Sequence, residues 1–414
     1  MISKKSAALG AVALILVTAF LTAFLTVQVG TYIDIKSGDR IIISKQDYQL
    51  LNNFYRKLDN VRRDIEKNYI EEIDREKLFE GALKGMVSSL EDPYSYYLTE
   101  EELEDFNVAT SGTYQGIGVS IEKSEDNQIM IFQVFKNSPA MEAGLLTGDK
   151  IIKVDGQDVD WSVYEQAVAM MKSGEPGSTV KLTIIRDGET KEVEVRRDIV
   201  EIPDMEYEML DNDIGYIWLY SFDGPAAKNF KNAIEELQDQ GMKGLILDLR
   251  GNGGGLLKVC REIADVLLPE GLVVYSESRS GQRTEYKSDA DALGIPLVIL
   301  VNEYSASASE VLTGAIQDYG MGTVIGTTTF GKGVVQTMKP YEDGGALKLT
   351  TYKYFTPKGR DINKKGIEPD IKVKMTEEAI EFLKENPRES LPKELDAPLL
   401  KGIEVIKKEL EETP

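Results

Sequence analysis

The stretch PLVILVNEYSASASEVLTGAIQDYG, residues 296–320, decides the fold. Leu297 to Val301 is a short, unbroken apolar run bounded by Pro296 and Asn302, which reads as a buried strand. A turn carrying Ser305, Ser307 and Ser309 follows, and Leu312, Ala315 and Ile316 then recur at helical spacing on a core face. Working outward, the same alternation repeats. IGYIWLYSF (214–222) leads to a helix from Pro225 to Gln240, GLILDLR (244–250) to a helix from Leu256 to Leu268, and GTVIGTTTF (322–330) follows a helix from about Ser307 to Tyr319. Strands alternating with helices predict an α/β layer with crossover connections.

Upstream the texture changes. VSIE (119–122), IMIFQVF (129–135), KIIKVDG (150–156), VKLTIIRDG (180–188) and KEVEVRRD (191–198) are short β-rich runs separated by Gly, Pro and Asn turn signals, which predicts a compact β-rich module over 109–200. Before it, Leu51, Phe54, Leu58, Val61 and Ile65 mark an amphipathic helix within 44–69, and a second helical stretch runs from Arg75 to Leu90. The face of the first helix suits packing within its own domain or a homodimer contact equally well. The tail is helical again, with Leu399, Ile403, Ile406 and Leu410 on one face, and with the helix in 44–69 it is expected to support a homodimer. The expected division is a cytoplasmic tip and anchor at 1–30, a helical region at 31–108, the β-rich module, an α/β core at 201–375 and a helical tail at 376–414.

Residues 6–30 carry no charge and, at 1.5 Å per residue, are long enough to cross a hydrocarbon core of about 30 Å. The stretch exceeds the apolar core of a signal peptide and lacks a clear cleavage site, so a transmembrane anchor is expected. Lys4 and Lys5 precede it, and no basic residue follows until Lys36. That bias is expected to place the N-terminus in the cytoplasm and the rest of a single-pass chain outside it.

The 414 residues are 42% apolar, enough for a substantial core. Acidic residues outnumber basic ones 70 to 48, for a formal charge of −22, which argues against nucleic-acid partners. There is no histidine, so neither a Ser-His-Asp triad nor a His-ligated zinc site can be built. The single cysteine, Cys260, reads as a small buried hydrophobe. A covalent hydrolase made from this chain needs a lysine, a carboxylate or the amino terminus as its base.

Three segments could carry such chemistry. A serine at the 305–309 turn projects from a helix N-terminus, where free N–H groups stabilise a developing oxyanion, although serines there commonly serve as caps. LILDLRGNGGG (245–255) puts four glycines after Arg250, which suits either a tight turn or backbone donors aimed at a ligand. GTTTFGKG (326–333) fits a phosphate loop except at its last position, where Gly333 replaces the magnesium-binding hydroxyl. An NTPase is therefore disfavoured. Lys332 is then a solvated surface lysine or, if buried between its glycines, a general base.

Taken together and in order, DPYSYYL (92–98), SGTYQGIGV (111–119), SPAMEAGLLTGDKIIKVDG (138–156), LDLRGNGGG (247–255), SASASE (305–310), TFGKGVVQ (329–336) and YFTPKGRDINKKGIEPD (354–370) resemble the carboxyl-terminal processing peptidases, or tail-specific proteases. The resemblance implies a layered α/β protease core of the crotonase/ClpP-like kind with an inserted PDZ domain. It implies Ser307 as nucleophile, Lys332 as general base and Gln336 as the residue orienting that lysine, with the backbone N–H groups of Gly253 and Ala308 as oxyanion hole. Tyr114, Gln115, Gly116, Ile117 and Gly118 correspond to the loop that binds a substrate's terminal carboxylate. No metal or cofactor is implied, and the expected partners are proteins with free, apolar C-termini. The rival expectation is a binding or scaffold protein on the same fold that has lost hydrolysis.

Overall fold

The computed structural model describes residues 16–22, 45–289, 292–342, 344–386 and 391–412. The chain divides into two compact units, Met1–Phe79 and Glu80–Pro414. Of the expected anchor, 16–22 are helical and the remainder lies outside the described residues. Among the described residues no helix is long and apolar enough to cross a membrane. The rest of the first unit is dominated by the helix Lys45–Asn68, on which Leu51, Phe54, Leu58 and Val61 are exposed. Among the described residues these four members of the foreseen stripe stay uncovered, while Ile65 is half-buried.

The second unit is built on a six-stranded sheet in the order Met205–Leu210, Ile214–Leu219, Gly244–Asp248, Leu297–Val301, Thr323–Gly326 and Ile371–Lys372. The first pair is antiparallel and the others are parallel. Successive side chains leave a strand on opposite faces, and both faces here are covered. Leu245, Leu247, Leu297, Ile299 and Val301 pack under the helices Ala226–Asp239, Leu257–Leu267 and Ala308–Tyr319. Ile246, Val298 and Leu300 pack on the other side against Leu399 and Ile406 of the tail helix Ala397–Glu412. The tail's apolar face is therefore buried against the chain's own sheet, which leaves only the N-terminal helix to support the expected dimer contact.

A second sheet was not foreseen. It joins Tyr96–Leu98, Ala346–Phe355, Gly271–Ser278 and Arg283–Ser288, with Val334–Pro340 pairing along Ala346–Phe355. Its strands are mostly half-buried and rich in Thr, Tyr, Lys and Glu, so they lack the apolar runs that announced the central sheet. The helix Glu100–Ser111 also escaped notice; its capping box, Thr99 with Glu102, is a readable signal, but no apolar periodicity follows it.

The β-rich module is an insertion whose ends meet: Thr113–Gly116 pairs antiparallel with Asp198–Glu201. Between them lie Val119–Lys123, Ile129–Val134, Lys150–Val154, Thr179–Arg186 and Glu189–Arg196 in one sheet, with the helix Tyr164–Lys172. At the junction Gly112, in the left-handed region at φ +67°, meets Gly224. A Cβ on Gly112 would stand 2.8 Å from the Gly224 Cα, so the two backbones cross where neither side chain could fit.

Candidate active site

The strand Leu297–Val301, paired on both sides, delivers residues 302–307 to the carboxyl ends of the parallel strands, and the structure gives the three serines of that turn different tasks. Ser305 and Ser309 are fully buried; Ser305 Oγ donates to the Leu249 carbonyl at 2.8 Å and Ser309 Oγ to that of Asn252 at 2.9 Å. Both fasten the turn to the glycine-rich loop. Ser307 alone is partly open, at φ +57°, ψ −112°, immediately before the helix Ala308–Tyr319. A non-glycine residue there is strained, and such strain persists only where the surroundings enforce it.

The enforcing contacts come from the loop 250–255. Ala306 N–H donates to the Asn252 carbonyl at 3.0 Å, and Gly254 N–H to Asn252 Oδ1 at 2.8 Å. Gly254, at φ +104°, lies so close that a Cβ on it would stand 2.8 Å from Ser307 Cβ and 2.9 Å from Ala308 N. Gly253 is exposed, and nothing occupies the space beside it. Ala308 is the first residue of its helix, so its N–H has no intrahelical acceptor. The turn and the glycine loop thus bring Ser307, Gly253 and Ala308 into one locality.

Lys332 joins them through Glu310. This carboxylate is completely buried. Its Oε2 accepts from Ser307 N–H at 2.9 Å and from Lys332 N–H at 2.8 Å; its Oε1 accepts from Gly331 N–H at 2.7 Å and Thr329 Oγ1 at 2.6 Å. One oxygen therefore bridges the backbone of the two residues singled out in the sequence. A buried carboxylate needs such partners, and four donors meet that need. The segment 362–366 supports the lysine loop from behind: Lys364 N–H donates to the Gly331 carbonyl at 2.7 Å, and a Cβ on Gly333 would stand 2.3 Å from Asn363 N. No helix follows this loop, which runs from Thr323–Gly326 into the strand Val334–Pro340; its Gly331 and Lys332 N–H groups go to Glu310, and those of Thr327, Thr329 and Phe330 to the carbonyls of Val301, Ile367 and Ser305. A phosphate loop requires a helix there, so the geometry excludes that reading.

The Lys332 ammonium lies 4.6 Å from the centre of the Tyr94 ring. Burial holds its pKa below the usual lysine value; the nearby Lys348 charge adds to the depression, while Asp92 and Glu310 oppose it. Lys348 is itself held beside the Tyr96 and Phe106 rings and donates to the Tyr96 hydroxyl at 2.9 Å. Gln336 sits at a bulge in Val334–Pro340, where its amide donates to Thr350 Oγ1 at 3.1 Å. Tyr114 to Gly118 form a separate group in the β-rich module, beside a cavity of about 410 Å³ between Val119–Lys123 and Tyr164–Lys172.

Sequence comparisons identify the scaffold. The profile of peptidase family S41 matches residues 213–373, a PDZ domain profile matches 115–196, and the N-terminal domain of activating protease CtpB matches 23–102. The carboxy-terminal processing protease CtpA of Bacillus subtilis (strain 168) is 36% identical over 88% of this chain and 77% of its own length. The chain belongs to the carboxy-terminal processing proteases of peptidase family S41. A CtpA-like serine protease of Staphylococcus haemolyticus is 37% identical over 87% of this chain and 71% of its own. Among solved structures, an S41 protease from Bacteroides fragilis shares the fold with a TM-score of 0.52 at 19% identity, covering 82% of this chain and 91% of that one.

This S41 peptidase uses residues that the sequence reading passed over. Glu310 was seen only as a possible cap partner of Ser307; the available signal was an acidic side chain in a helix otherwise facing the core, which cannot be buried without donors. Asp92 and Tyr94 lie in the motif DPYSYYL (92–98), in which the sequence reading gave no residue a role. Arg250, read as a strand end, bonds Asp248 and, through two nitrogens at 2.8 Å each, Asp396, tying the glycine loop to the start of the tail helix. Cys260 is buried as expected, its thiol 3.3 Å from the Ala308 carbonyl and its pKa pushed up to about 12 by burial.

Proposed function

We propose that this serine peptidase cleaves near the C-terminus of its substrates with Ser307 as nucleophile and Lys332 as general base. The observation that carries the assignment is the single Glu310 oxygen shared by the two backbones. Neutral Lys332 takes the Ser307 proton as Oγ bonds to the scissile carbonyl carbon. The resulting oxyanion is held by the N–H groups of Gly253 and Ala308. Collapse breaks the C–N bond as Lys332 returns the proton to the leaving amine, and water, deprotonated by Lys332, resolves the acyl-enzyme. Gln336, held by its bond to Thr350 Oγ1, orients the lysine. A serine-directed phosphonate tests this: the adduct maps to Ser307 by mass spectrometry and is lost in Lys332→Ala, whereas an adduct elsewhere contradicts it.

The PDZ domain, through Tyr114 to Gly118, captures free apolar C-termini by adding the substrate as a strand and binding its carboxylate with loop N–H groups. The chain divides functionally at about residues 30, 108, 200 and 375. Residues 6–30 anchor it once in a bacterial cell membrane with the catalytic part outside the cytoplasm, supported by the uncharged stretch and its preceding lysines. The exposed stripe on Lys45–Asn68 supports a homodimer. Helices on both faces of a parallel sheet, with a second sheet beside them, support a core of the crotonase/ClpP-like kind.

A further inference from the structure

DPYSYYL (92–98) supplies none of the reacting groups, yet the fold sets it against the base. Tyr96–Leu98 pairs antiparallel with Ala346, Leu347 and Lys348. Beyond the last pair a side chain takes over from the ladder. The Oγ of buried Ser95 accepts Thr350 N–H at 2.9 Å and donates its own proton to Asp92 Oδ2 at 2.5 Å. Asp92 Oδ1 accepts Tyr94 N–H at 3.1 Å and closes the turn. Tyr94 is thereby fixed on both sides, through its own N–H and through Ser95. Thr350 carries the same hold to the next strand, where its Oγ1 accepts the Gln336 amide. The centre of the half-buried Tyr94 ring stands 4.6 Å from the Lys332 ammonium nitrogen. Of the charged groups around that nitrogen, Lys348 repels it and lies against the Tyr96 and Phe106 rings. Asp92 and Glu310 attract it, with oxygens already engaged by other donors. Among the described residues no ion pair holds Nζ, and the ring is the partner that the fold provides.

We propose that Tyr94 is a positioning residue for the general base: its ring seats the Lys332 ammonium each time the lysine carries the proton from Ser307 to the leaving amine, and Asp92 and Ser95 hold that seat in place. The inference rests on the reading of Lys332 as the base. The negative face of an aromatic ring attracts a cation without the strong, directional bond of an ion pair. A carboxylate in the same place would form a charge-assisted hydrogen bond, which keeps the proton on the lysine and must break before the lysine turns to its substrate. The ring stabilises the ammonium modestly and leaves its N–H groups available to hand a proton on. The chain Asp92–Ser95–Thr350–Gln336 ties the seat to the residue that orients the lysine, so ring and amide share one mounting.

Tyr94→Leu keeps an apolar cover over the lysine and removes the ring face. A ring that favours the charged lysine raises its pKa, so losing the ring lowers it. In the full chain the Leu variant should therefore show the acid limb of kcat/KM about half a pH unit lower than the wild type. Its plateau kcat should be about two- to fivefold lower, with KM changed by less than about twofold, because the ring acts on the charged lysine and not on substrate binding. Tyr94→Phe, which keeps the ring, should restore the wild-type values. The titration of Lys332 itself, followed by NMR of isotope-labelled lysine side chains and assigned with Lys332→Arg, should fall by the same half unit in the Leu variant. A Lys332 titration equal in the wild type and the Leu variant overturns the seat while sparing the base. A titration that moves beside an acid limb that does not overturns Lys332 as the base, and the role of Tyr94 with it. A Phe variant that behaves like the Leu variant also overturns the proposal, since the hydroxyl and not the ring would then be responsible.

Discussion

In the proposed mechanism Lys332 works as a base only when neutral, and burial with the nearby Lys348 charge favours the neutral form. With its folded pKa lowered by burial and by Lys348, activity is present above that pKa and is lost as pH falls through it. Between the ordinary lysine pKa and the lowered folded one, the unfolded chain binds more protons than the folded one, so this group makes the fold less stable as pH drops across that interval and adds no further change below it. Two substitutions separate the contributions. Lys348→Met removes a positive neighbour and should move the acid limb of kcat/KM to higher pH; Asp92→Asn removes a negative one and should move it lower. Identical acid limbs in all three proteins would show that another group titrates. Glu310→Gln keeps the shape but loses the charge that four donors serve, and should lower kcat/KM by at least about 10²-fold and stability by about 2 kcal/mol. Urea unfolding beside the kinetic assay separates these effects. Ser307 and Lys332 were singled out by the resemblance of SASASE and TFGKGVVQ to the family's motifs; the residues alone left a helix cap and a solvated surface lysine as alternatives. Glu310 was not legible, because only the fold brings residues 329–332 back over it.

At the scale of elements, the central sheet and its helices could be read directly, since strands buried on both faces need uninterrupted apolar runs such as Leu297–Val301. The second sheet could not, because its half-exposed strands pair across distant parts of the chain, Tyr96–Leu98 against Ala346–Leu347–Lys348 among them. The glycine loop was legible as flexible backbone, but not which glycine lacks room. The structure singles out Gly254, whose Cβ would collide with Ser307 and with Ala308 N, while Gly253 beside it has open space. Gly254→Ala should therefore cost about 1–3 kcal/mol and remove nearly all activity. Gly253→Ala should fold almost normally and retain measurable turnover. Thermal unfolding of the two variants, paired with initial rates, checks the contrast, and equal losses would show that the loop tolerates no Cβ anywhere.

At the scale of the whole molecule, the fold that carries the site is held from the far side of the sheet. Ile406 of the tail helix is fully buried and packs against Gly244, at the start of the strand that leads into the glycine loop. Ile406→Ala should cost about 3 kcal/mol, measured by urea unfolding, with kcat for the remaining folded protein little changed. That tail face was legible as a stripe, but a stripe cannot say whether it meets a second copy or its own sheet. The central claim joins the two ends of the proposed mechanism, capture of a free C-terminus and attack by Ser307 with Lys332 as base. It is tested most directly by cleavage of a partly unfolded protein carrying an apolar C-terminus, free or amidated, by the full chain and its Ser307→Ala and Lys332→Ala variants. The account predicts cleavage of the free-tailed substrate, clear weakening by amidation, and loss of at least about 10³-fold in either variant. Undiminished cleavage by Lys332→Ala, or equal cleavage of the amidated substrate, would contradict it.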